Sequence, residues 1–270
     1  MPELPEVETV VRGLTPELIG RRIVGVTVRE RRLRGGVAPA FAARLTGRRI
    51  TGLGRRGKYL LAILDDGHIW LVHLGMTGRL TLGPADTTPT RHDHVVVVLD
   101  DGRLLTYNDP RRFGRLAVLE AVAVASETGT GLDPLAPAFT AEALFALTRR
   151  RRTSIKALLM DQRRIAGLGN IYVNEILFHA GIRPGRRAAA LARADCAGIV
   201  RATRLVLADA IQRGGSSISD YRDGLGRRGW FQLRHRVYDR AGEPCTRCAT
   251  PIRTRVIVGR STFYCPRCQK

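Results

Sequence analysis

Met1-Pro2-Glu3-Leu4-Pro5-Glu6-Val7-Glu8-Thr9 is the stretch around which the rest of the sequence is organised. Its apolar residues, continued by Val10, Val11 and Leu14, recur at the spacing of one helical face. Proline and glutamate are favoured in a first helical turn, because proline has no N–H to leave unpaired there and the helix dipole attracts carboxylates. The stretch therefore predicts an amphipathic helix that begins within the first few residues.

Pro2 is also a candidate nucleophile. Met1 precedes a small residue, so we expect its removal to leave Pro2 with a free secondary amine. Such an amine forms a charged iminium with a sugar aldehyde, and this cation cannot be discharged by losing a proton, which makes it a strong electron sink. Glu3 and Glu6 are near enough in sequence to shuttle protons beside it. The alternative is that Pro2 only starts the helix and the two acids only stabilise its first turn.

The composition describes a globular protein with a polyanionic partner. The chain has 270 residues, of which 44% are hydrophobic, and a formal net charge of +21 at pH 7. This length allows two domains with cores of their own, and this charge favours nucleic acid or an anionic surface as the partner. No apolar run approaches the ~18 residues of a membrane span and no secretory signal is evident, so we expect no membrane role and a cytoplasmic location.

Strand and hairpin patterns dominate residues 1–130. The valines within residues 24–28 alternate, as in a half-buried strand. Residues 58–74 and 95–107 each carry an Asp-Asp-Gly turn between two apolar runs, which is typical of a β-hairpin. These patterns predict an N-terminal helix followed by an antiparallel β-sandwich.

The pattern becomes helical after a proline-containing linker. The predicted helices are 140–147, capped by Thr140, then 154–160, then 170–181, capped by Asn170, and 195–212. A polar, glycine-rich stretch at residues 214–229 predicts a long loop. We therefore predict an α+β fold with a β-sandwich domain at residues 1–130, a helical domain at 131–235 that includes this loop, and a zinc-binding module at 236–270.

Four of the five cysteines form two close pairs, Cys245-x2-Cys248 and Cys265-x2-Cys268. This spacing is typical of a structural zinc site, and four thiolates leave no open position for catalysis. A module of this size has too small a core to fold alone, so the metal must contribute folding energy. The pattern favours a reducing compartment over a disulfide framework, and Cys196 stands alone in a predicted helix.

Two more motifs are candidates for binding phosphate. Residues 256–264 predict a short hairpin between the cysteine pairs, with Arg260 at its tip. Gly167-Leu168-Gly169-Asn170 precedes a predicted helix, where free N–H groups and the helix dipole favour an anion. The alternatives are an ordinary solvated arginine and an ordinary turn between two helices.

Residues 1–9 resemble the start of the formamidopyrimidine-DNA glycosylase family, which are bacterial base-excision repair enzymes that act on oxidised purines and abasic sites. Matching motifs follow in order down to the last residues, at 55–59, 73–78, 92–94, 109–114, 165–172, 214–229 and 238–268. Asp239 departs from the family pattern, because glycine is usual there. Leu4, in the place after Glu3, favours the purine-specific branch over the endonuclease VIII branch.

The resemblance implies a catalytic set in which Pro2 is the nucleophile, Glu3 protonates the sugar ring oxygen and Glu6 supports the site. It also implies that Lys58 and Arg260 contact the phosphate at the lesion and assist elimination. By residue type alone, Lys58 is an ordinary surface lysine.

The resemblance also implies a set of DNA-binding residues. Met76, Arg111 and Phe113 would fill the space that a flipped base leaves, although a lone methionine or phenylalanine is usually a core residue. The remaining implied contacts are His92, Arg151 in the basic run 149–152, Lys156, Asn170 and Tyr238. Residues 214–229 would form a loop over the flipped purine. A metal site at His92 and His94 would need further ligands that the sequence does not offer.

We therefore expect a monomeric, bifunctional DNA glycosylase and abasic-site lyase with one structural zinc ion. Its expected partner is double-stranded DNA that contains an abasic site or an oxidised purine such as 8-oxoguanine or a formamidopyrimidine. One alternative is a pyrimidine-preferring enzyme of the endonuclease VIII branch. Another is a non-catalytic zinc-finger DNA-binding protein, which would be expected to have lost Pro2, Glu3 or Lys58.

Overall fold

The computed structural model describes residues 2–216 and 221–270, so Met1 and part of the predicted loop at 214–229 lie outside the described residues. The chain divides into two compact units. The first unit comprises Met1–Thr128 and Arg213–Trp230, and the second comprises Gly129–Gln212 and Phe231–Lys270. No helix in the described part of the chain is long and apolar enough to cross a membrane.

The first unit contains the N-terminal helix and two antiparallel sheets. Its elements are α1 (Leu4–Leu18), β1 (Ile23–Val28), α2 (Phe41–Leu45), β2 (Ile50–Arg56), β3 (Tyr59–Leu64), β4 (His68–His73), β5 (Arg79–Gly83), β6 (Asp93–Leu99), β7 (Leu104–Asn108), β8 (Arg115–Glu120) and α3 (Val124–Thr128). One sheet has the strand order β1-β6-β7-β5 and the other β2-β3-β4-β8. These sheets, together with the helices of the second unit, confirm the predicted α+β class.

Turn chemistry and burial explain why these strands pair. Gly67 and Gly102 end the two Asp-Asp-Gly turns with positive φ values of 82° and 83°, a conformation that costs glycine least. The apolar faces of both sheets and α1 bury one core, in which Phe41 and Trp70 meet edge to face at 6.3 Å between ring centroids. The fixed register of the sheets sets the positions of the connecting turns.

The second unit is helical and ends in a hairpin. Its elements are α4 (Ala141–Thr148), α5 (Ile155–Met160), α6 (Asn170–His179), α7 (Arg193–Gln212), β9 (Arg253–Ile257) and β10 (Arg260–Tyr264). Thr140 caps α4 through its hydroxyl group, as predicted, and Ser154 caps α5 in the same way. The hairpin packs with α6, because Phe178 shares a small core with Ile252, Phe263 and Cys265.

The described residues of the segment 213–230 pack against the first unit, although they follow α7 in the chain. Tyr221 belongs to the core of that unit, and the Gly224 carbonyl accepts the Leu82 N–H at 2.9 Å. A Cβ on Gly224 would lie 2.5 Å from Leu14 of α1, so only glycine allows this approach. By its position in the chain this segment follows the helices of the second unit, but by its packing it belongs to the first.

Candidate functional site

The start of α1 gathers Pro2 and two buried carboxylates. Pro2 precedes the N-cap residue Glu3, and Pro5 occupies the first turn, so Pro2 is not the residue that starts the helix. Glu3 and Glu6 are 2% and 1% exposed. One oxygen of Glu6 accepts the Glu3 N–H at 2.8 Å, and the other accepts the Ser216 N–H at 2.7 Å. Glu6 thereby joins the N-terminus to the segment 213–230.

The turn between β2 and β3 carries Lys58, which is only 8% exposed. Gly57 gives this turn a positive φ of 57°. The Arg55 guanidinium donates to Glu8 of α1 and to the Gly57 carbonyl, each at 3.0 Å. This ion pair ties the helix that begins beside Pro2 to the turn that carries Lys58, a contact that nothing in the sequence indicated.

A neutral histidine lies close to Lys58. Burial, followed by the positive charges of Lys58 and Arg34, lowers the pKa of His73 to about 4. Its Nδ1 accepts the Gly75 N–H at 3.0 Å, and its ring lies 4.8 Å from the ring of Tyr59. His73 is the first residue of the motif 73–78, for which the sequence indicated no role of its own. The structure makes it an uncharged acceptor at pH 7.

The turns after β4 and β7 carry Met76, Arg111 and Phe113. Met76 is half-buried, and Phe113 is 42% exposed, which excludes a core-packing role for this phenylalanine. The Arg111 guanidinium lies over the Phe113 ring, 4.7 Å from its centroid. These three side chains belong to two turns that meet at Gly75 and Gly114.

In the part of the chain that the structure describes, His92 and His94 belong to no group of three or more residues placed to hold a metal. His94 is buried, and its Nε2 lies 2.8 Å from the Asp109 carbonyl oxygen. His92 is half-buried beside it, with 6.3 Å between the ring centroids. Among residues 2–216 and 221–270, the cysteines of the C-terminal module are the only group placed to hold a metal.

The second unit brings Lys156 and Asn170 to the hairpin that carries Arg260. The Lys156 ammonium is fully buried and donates to the Ser261 carbonyl at 3.0 Å and to the Thr262 hydroxyl at 2.7 Å. Asn170 donates from its side chain to the same Ser261 carbonyl at 3.0 Å. Lys156 and Asn170 therefore meet at the Ser261 carbonyl of the hairpin, which is 105 and 91 positions away from them in the sequence.

Three details of this region correct the sequence-based predictions. Gly169, in extended conformation, is the N-cap of α6, and Asn170 is its first helical residue, because the Asn170 amide bonds to the hairpin instead of capping. The helix ends at His179 rather than at Gly181. Arg260 is exposed but lies beside the tip, pairing with Ile257, since Val258 and Gly259 form the turn.

Glu175 is a buried carboxylate that the sequence did not indicate. Its oxygens accept the backbone N–H groups of Arg236, Val237 and Tyr238 at 2.8 to 3.0 Å. Burial raises the pKa of Glu175, and these three hydrogen bonds oppose the rise. Glu175 thereby fixes the backbone at Tyr238, whose ring meets the ring of Phe263 edge to face at 5.3 Å.

Two other predicted positions have simple surroundings. Arg151 is exposed at the turn after α4. Asp239 has a positive φ of 60°, a conformation that glycine adopts at the least cost and that aspartate adopts more readily than most other residues.

The four C-terminal cysteines fit one zinc ion. All four Sγ atoms lie within 4.8 Å of one another, and three of the separations are 3.4, 3.5 and 3.9 Å. A tetrahedral zinc with Zn–S bonds of about 2.3 Å requires sulfur separations of about 3.8 Å. The donor set and its geometry therefore suit a closed, structural zinc site, and the predicted cofactor is confirmed.

Three family models match successive parts of the chain. The formamidopyrimidine-DNA glycosylase N-terminal domain matches residues 1–116, and the H2TH domain of the same family matches residues 130–222. A zinc finger found in FPG and IleRS matches residues 242–270.

The similarity to known proteins extends over the whole chain. A formamidopyrimidine-DNA glycosylase from Thiobacillus denitrificans is 50% identical over 272 residues, covering 100% of both chains. The crystal structure of MutM (Fpg) from Thermus thermophilus is 42% identical with a TM-score of 0.88, covering 99% of this chain and 98% of that one. A Lactococcus lactis Fpg variant in complex with DNA containing Fapy-dG is 34% identical with a TM-score of 0.91, covering 100% of both chains.

Proposed function

Because the chain belongs to the formamidopyrimidine-DNA glycosylase family, we propose that this DNA glycosylase excises oxidised purines and then cleaves the resulting abasic site. The proposed substrates are 8-oxoguanine and formamidopyrimidines in double-stranded DNA. The substrate class is supported by similar Lactococcus lactis structures, which hold DNA containing Fapy-dG or an abasic site. The chain's charge of +21 suits such a polyanion.

The proposed chemistry begins at Pro2. Its amine bonds to the sugar C1′ and loses its proton, the glycosidic bond breaks, and the base departs with the bonding electron pair and takes up a proton. Glu3 protonates the ring oxygen, which opens the sugar and leaves a charged iminium between C1′ and Pro2. Loss of a C2′ proton then expels the 3′ phosphate, and a second elimination expels the 5′ phosphate. The cation remains the electron sink throughout, because a secondary amine cannot form a neutral imine.

The position of Pro2 carries this proposal. It lies outside the helix, immediately before the N-cap, beside a carboxylate that is 2% exposed. A helix-starting proline would instead belong to the first turn, which Pro5 occupies. Burial of Glu3 also removes it from water, which strengthens its electrostatic effect on a developing charge.

We propose roles for the other predicted residues on the same basis. Lys58 and Arg260 bind lesion phosphates and assist elimination, while Glu6 acts by holding the N-terminus to Ser216. Met76, Arg111 and Phe113 occupy the space left by the flipped base. The proposed remaining direct DNA contacts are His92, Arg151, Asn170 and Tyr238. Lys156, which is fully buried, contributes instead by holding the hairpin that carries Arg260. Zinc would take no part in a chemical step, because four thiolate ligands leave no open position. It would act by stabilising the hairpin that presents Arg260.

Borohydride trapping tests the nucleophile. The protein is incubated with a duplex containing 8-oxoguanine, and borohydride reduces any iminium to a permanent protein–DNA adduct. We expect Pro2→Gly to weaken trapping strongly, and an N-terminal extension that blocks Met1 removal to abolish it. Pro5→Ala is the matched control, because it changes a nearby proline that has no free amine. Unchanged trapping in both the Pro2 variant and the extended protein would place the nucleophile elsewhere.

A base-release assay tests the substrate class. The same protein is offered duplexes that contain 8-oxoguanine, a formamidopyrimidine or an oxidised pyrimidine. We expect faster release of the two purine lesions. Preferential release of the oxidised pyrimidine would contradict the proposed substrate and favour the endonuclease VIII type of specificity.

A further inference from the structure

Asp109 is a fully buried carboxylate that joins the two turns carrying Met76, Arg111 and Phe113. One of its oxygens accepts the Thr77 hydroxyl at 2.6 Å. The other accepts the Gly114 N–H at 2.8 Å and the Tyr107 hydroxyl at 3.3 Å. A single side chain therefore contacts the turn after β4, the strand β7 and the turn after it.

Thr77 extends this connection to Arg111. Its hydroxyl donates to Asp109 and at the same time accepts the Arg111 backbone N–H at 3.3 Å. A hydroxyl can do both, because it has one donor and two acceptor sites. The contacts thus run from the Asp109 carboxylate in the second turn to the Thr77 hydroxyl in the first, and back to the Arg111 amide in the second.

The backbones of the two turns are in direct contact, which leaves little freedom for one to move without the other. A Cβ on Gly75 would lie 2.5 Å from the Gly114 nitrogen and from the Phe113 carbonyl carbon. A Cβ on Gly114 would overlap the Tyr107 hydroxyl. The two turns consequently form one packed unit, with the Thr77 hydroxyl as the polar contact between them.

We propose that Thr77 is a positioning residue, which fixes Arg111 relative to Met76 and Phe113 so that the three side chains enter the duplex in one arrangement. This inference rests on the proposed function, in which Arg111 enters the space left by the flipped base and so faces the base opposite the lesion. Cytosine offers two adjacent acceptors, O2 and N3, to a guanidinium fork, whereas adenine offers one acceptor beside a donor. A bidentate contact of the guanidinium with a base is sensitive to misplacement of about 1 Å, so the anchoring of Arg111 sets how well cytosine is distinguished from adenine.

The test compares Thr77→Val, which removes the hydroxyl and keeps the shape, with Thr77→Ser, which keeps the hydroxyl. Single-turnover excision of 8-oxoguanine is measured opposite cytosine and opposite adenine. We expect Thr77→Val to lower the cytosine-to-adenine rate ratio by about tenfold and Thr77→Ser to retain it. A ratio that Thr77→Val leaves at the wild-type value overturns the inference.

Arg111→Ala separates this inference from the proposed function. We expect Arg111→Ala to lower the rate ratio, and Thr77→Val to have no further effect on the ratio in the Arg111→Ala protein, because Thr77 acts through Arg111. If Arg111→Ala lowers the ratio but Thr77→Val does not, the role of Thr77 fails and base reading by Arg111 stands. If Arg111→Ala leaves the ratio unchanged, base reading fails and the role of Thr77 fails with it.

Amide hydrogen exchange supplies a readout that does not depend on activity. The Arg111 N–H of the free protein should exchange faster in Thr77→Val and at the wild-type rate in Thr77→Ser. Wild-type exchange in Thr77→Val overturns the proposed contact, whatever the activity of that variant.

Discussion

Glu6→Gln tests whether one carboxylate holds two distant segments of the first unit together. In the native protein its two oxygens accept the N–H groups of Glu3 and Ser216 at 2.8 and 2.7 Å. Glutamine offers one carbonyl oxygen and one NH2 group, so one of the two backbone N–H groups must face a donor. At 1% exposure of Glu6, bulk water does not compensate for the loss.

The expected cost follows from these contacts. A buried donor left without an acceptor costs about 1–3 kcal/mol. The side chain at position 6 has little room to rearrange, because the backbone packs closely against it. A Cβ on Gly215 would lie only 2.8 Å from the Glu6 carboxylate. We therefore expect the free energy of unfolding of the first unit to fall by about 2 kcal/mol, or roughly 30-fold in the equilibrium constant.

Tryptophan fluorescence during urea unfolding measures this change. Both tryptophans, Trp70 and Trp230, belong to the first unit, and Trp70 is 1% exposed. Glu17→Gln is the matched control on the same helix, where the carboxylate pairs with Arg103 and its side chain is 36% exposed. Such a pair contributes at most about 1 kcal/mol. If Glu6→Gln costs no more than Glu17→Gln, the argument that both oxygens are needed is refuted.

Three further predictions concern pH, the metal and the backbone at Asp239. The pKa of His73 is about 4 in the folded protein, against an ordinary 6.5, so the unfolded chain takes up the proton first as pH falls. The contribution of neutral His73 to the free energy of unfolding is therefore full above about pH 6.5 and is lost as pH falls towards 4. His73→Asn, which keeps an acceptor for the Gly75 N–H, should flatten this dependence in the tryptophan unfolding assay. Removal of zinc by a chelator should lower DNA affinity at least about tenfold, as measured by fluorescence anisotropy. The tryptophan unfolding transition should stay unchanged, because the zinc module shares its core with Phe178 of the second unit and both tryptophans belong to the first. Full DNA affinity without metal contradicts this prediction. Asp239→Gly should stabilise the second unit by up to about 1 kcal/mol in circular dichroism melting, and Asp239→Val should destabilise it by about 1 kcal/mol or more, since φ is +60° there.

Local patterns in the sequence determined much of the fold. The apolar spacing after Pro5 predicted α1, the two Asp-Asp-Gly turns predicted the β3–β4 and β6–β7 hairpins, and the capping hydroxyl of Thr140 predicted the start of α4. The cysteine spacing predicted the zinc site. Such signals are readable because a helix face, a hairpin turn and a pair of ligands each depend on residues that are close in the chain.

Only the tertiary structure decided which distant groups meet. Glu6 bonds to Ser216 across 210 positions, and Lys156 bonds to Thr262 across 106. The Asp109 contacts belong to the same class, since Thr77 is 32 positions away. These contacts depend on how the elements pack, and their hydrogen bonds impose no periodicity on the sequence. A buried polar residue therefore reveals its role only when its partners are brought beside it.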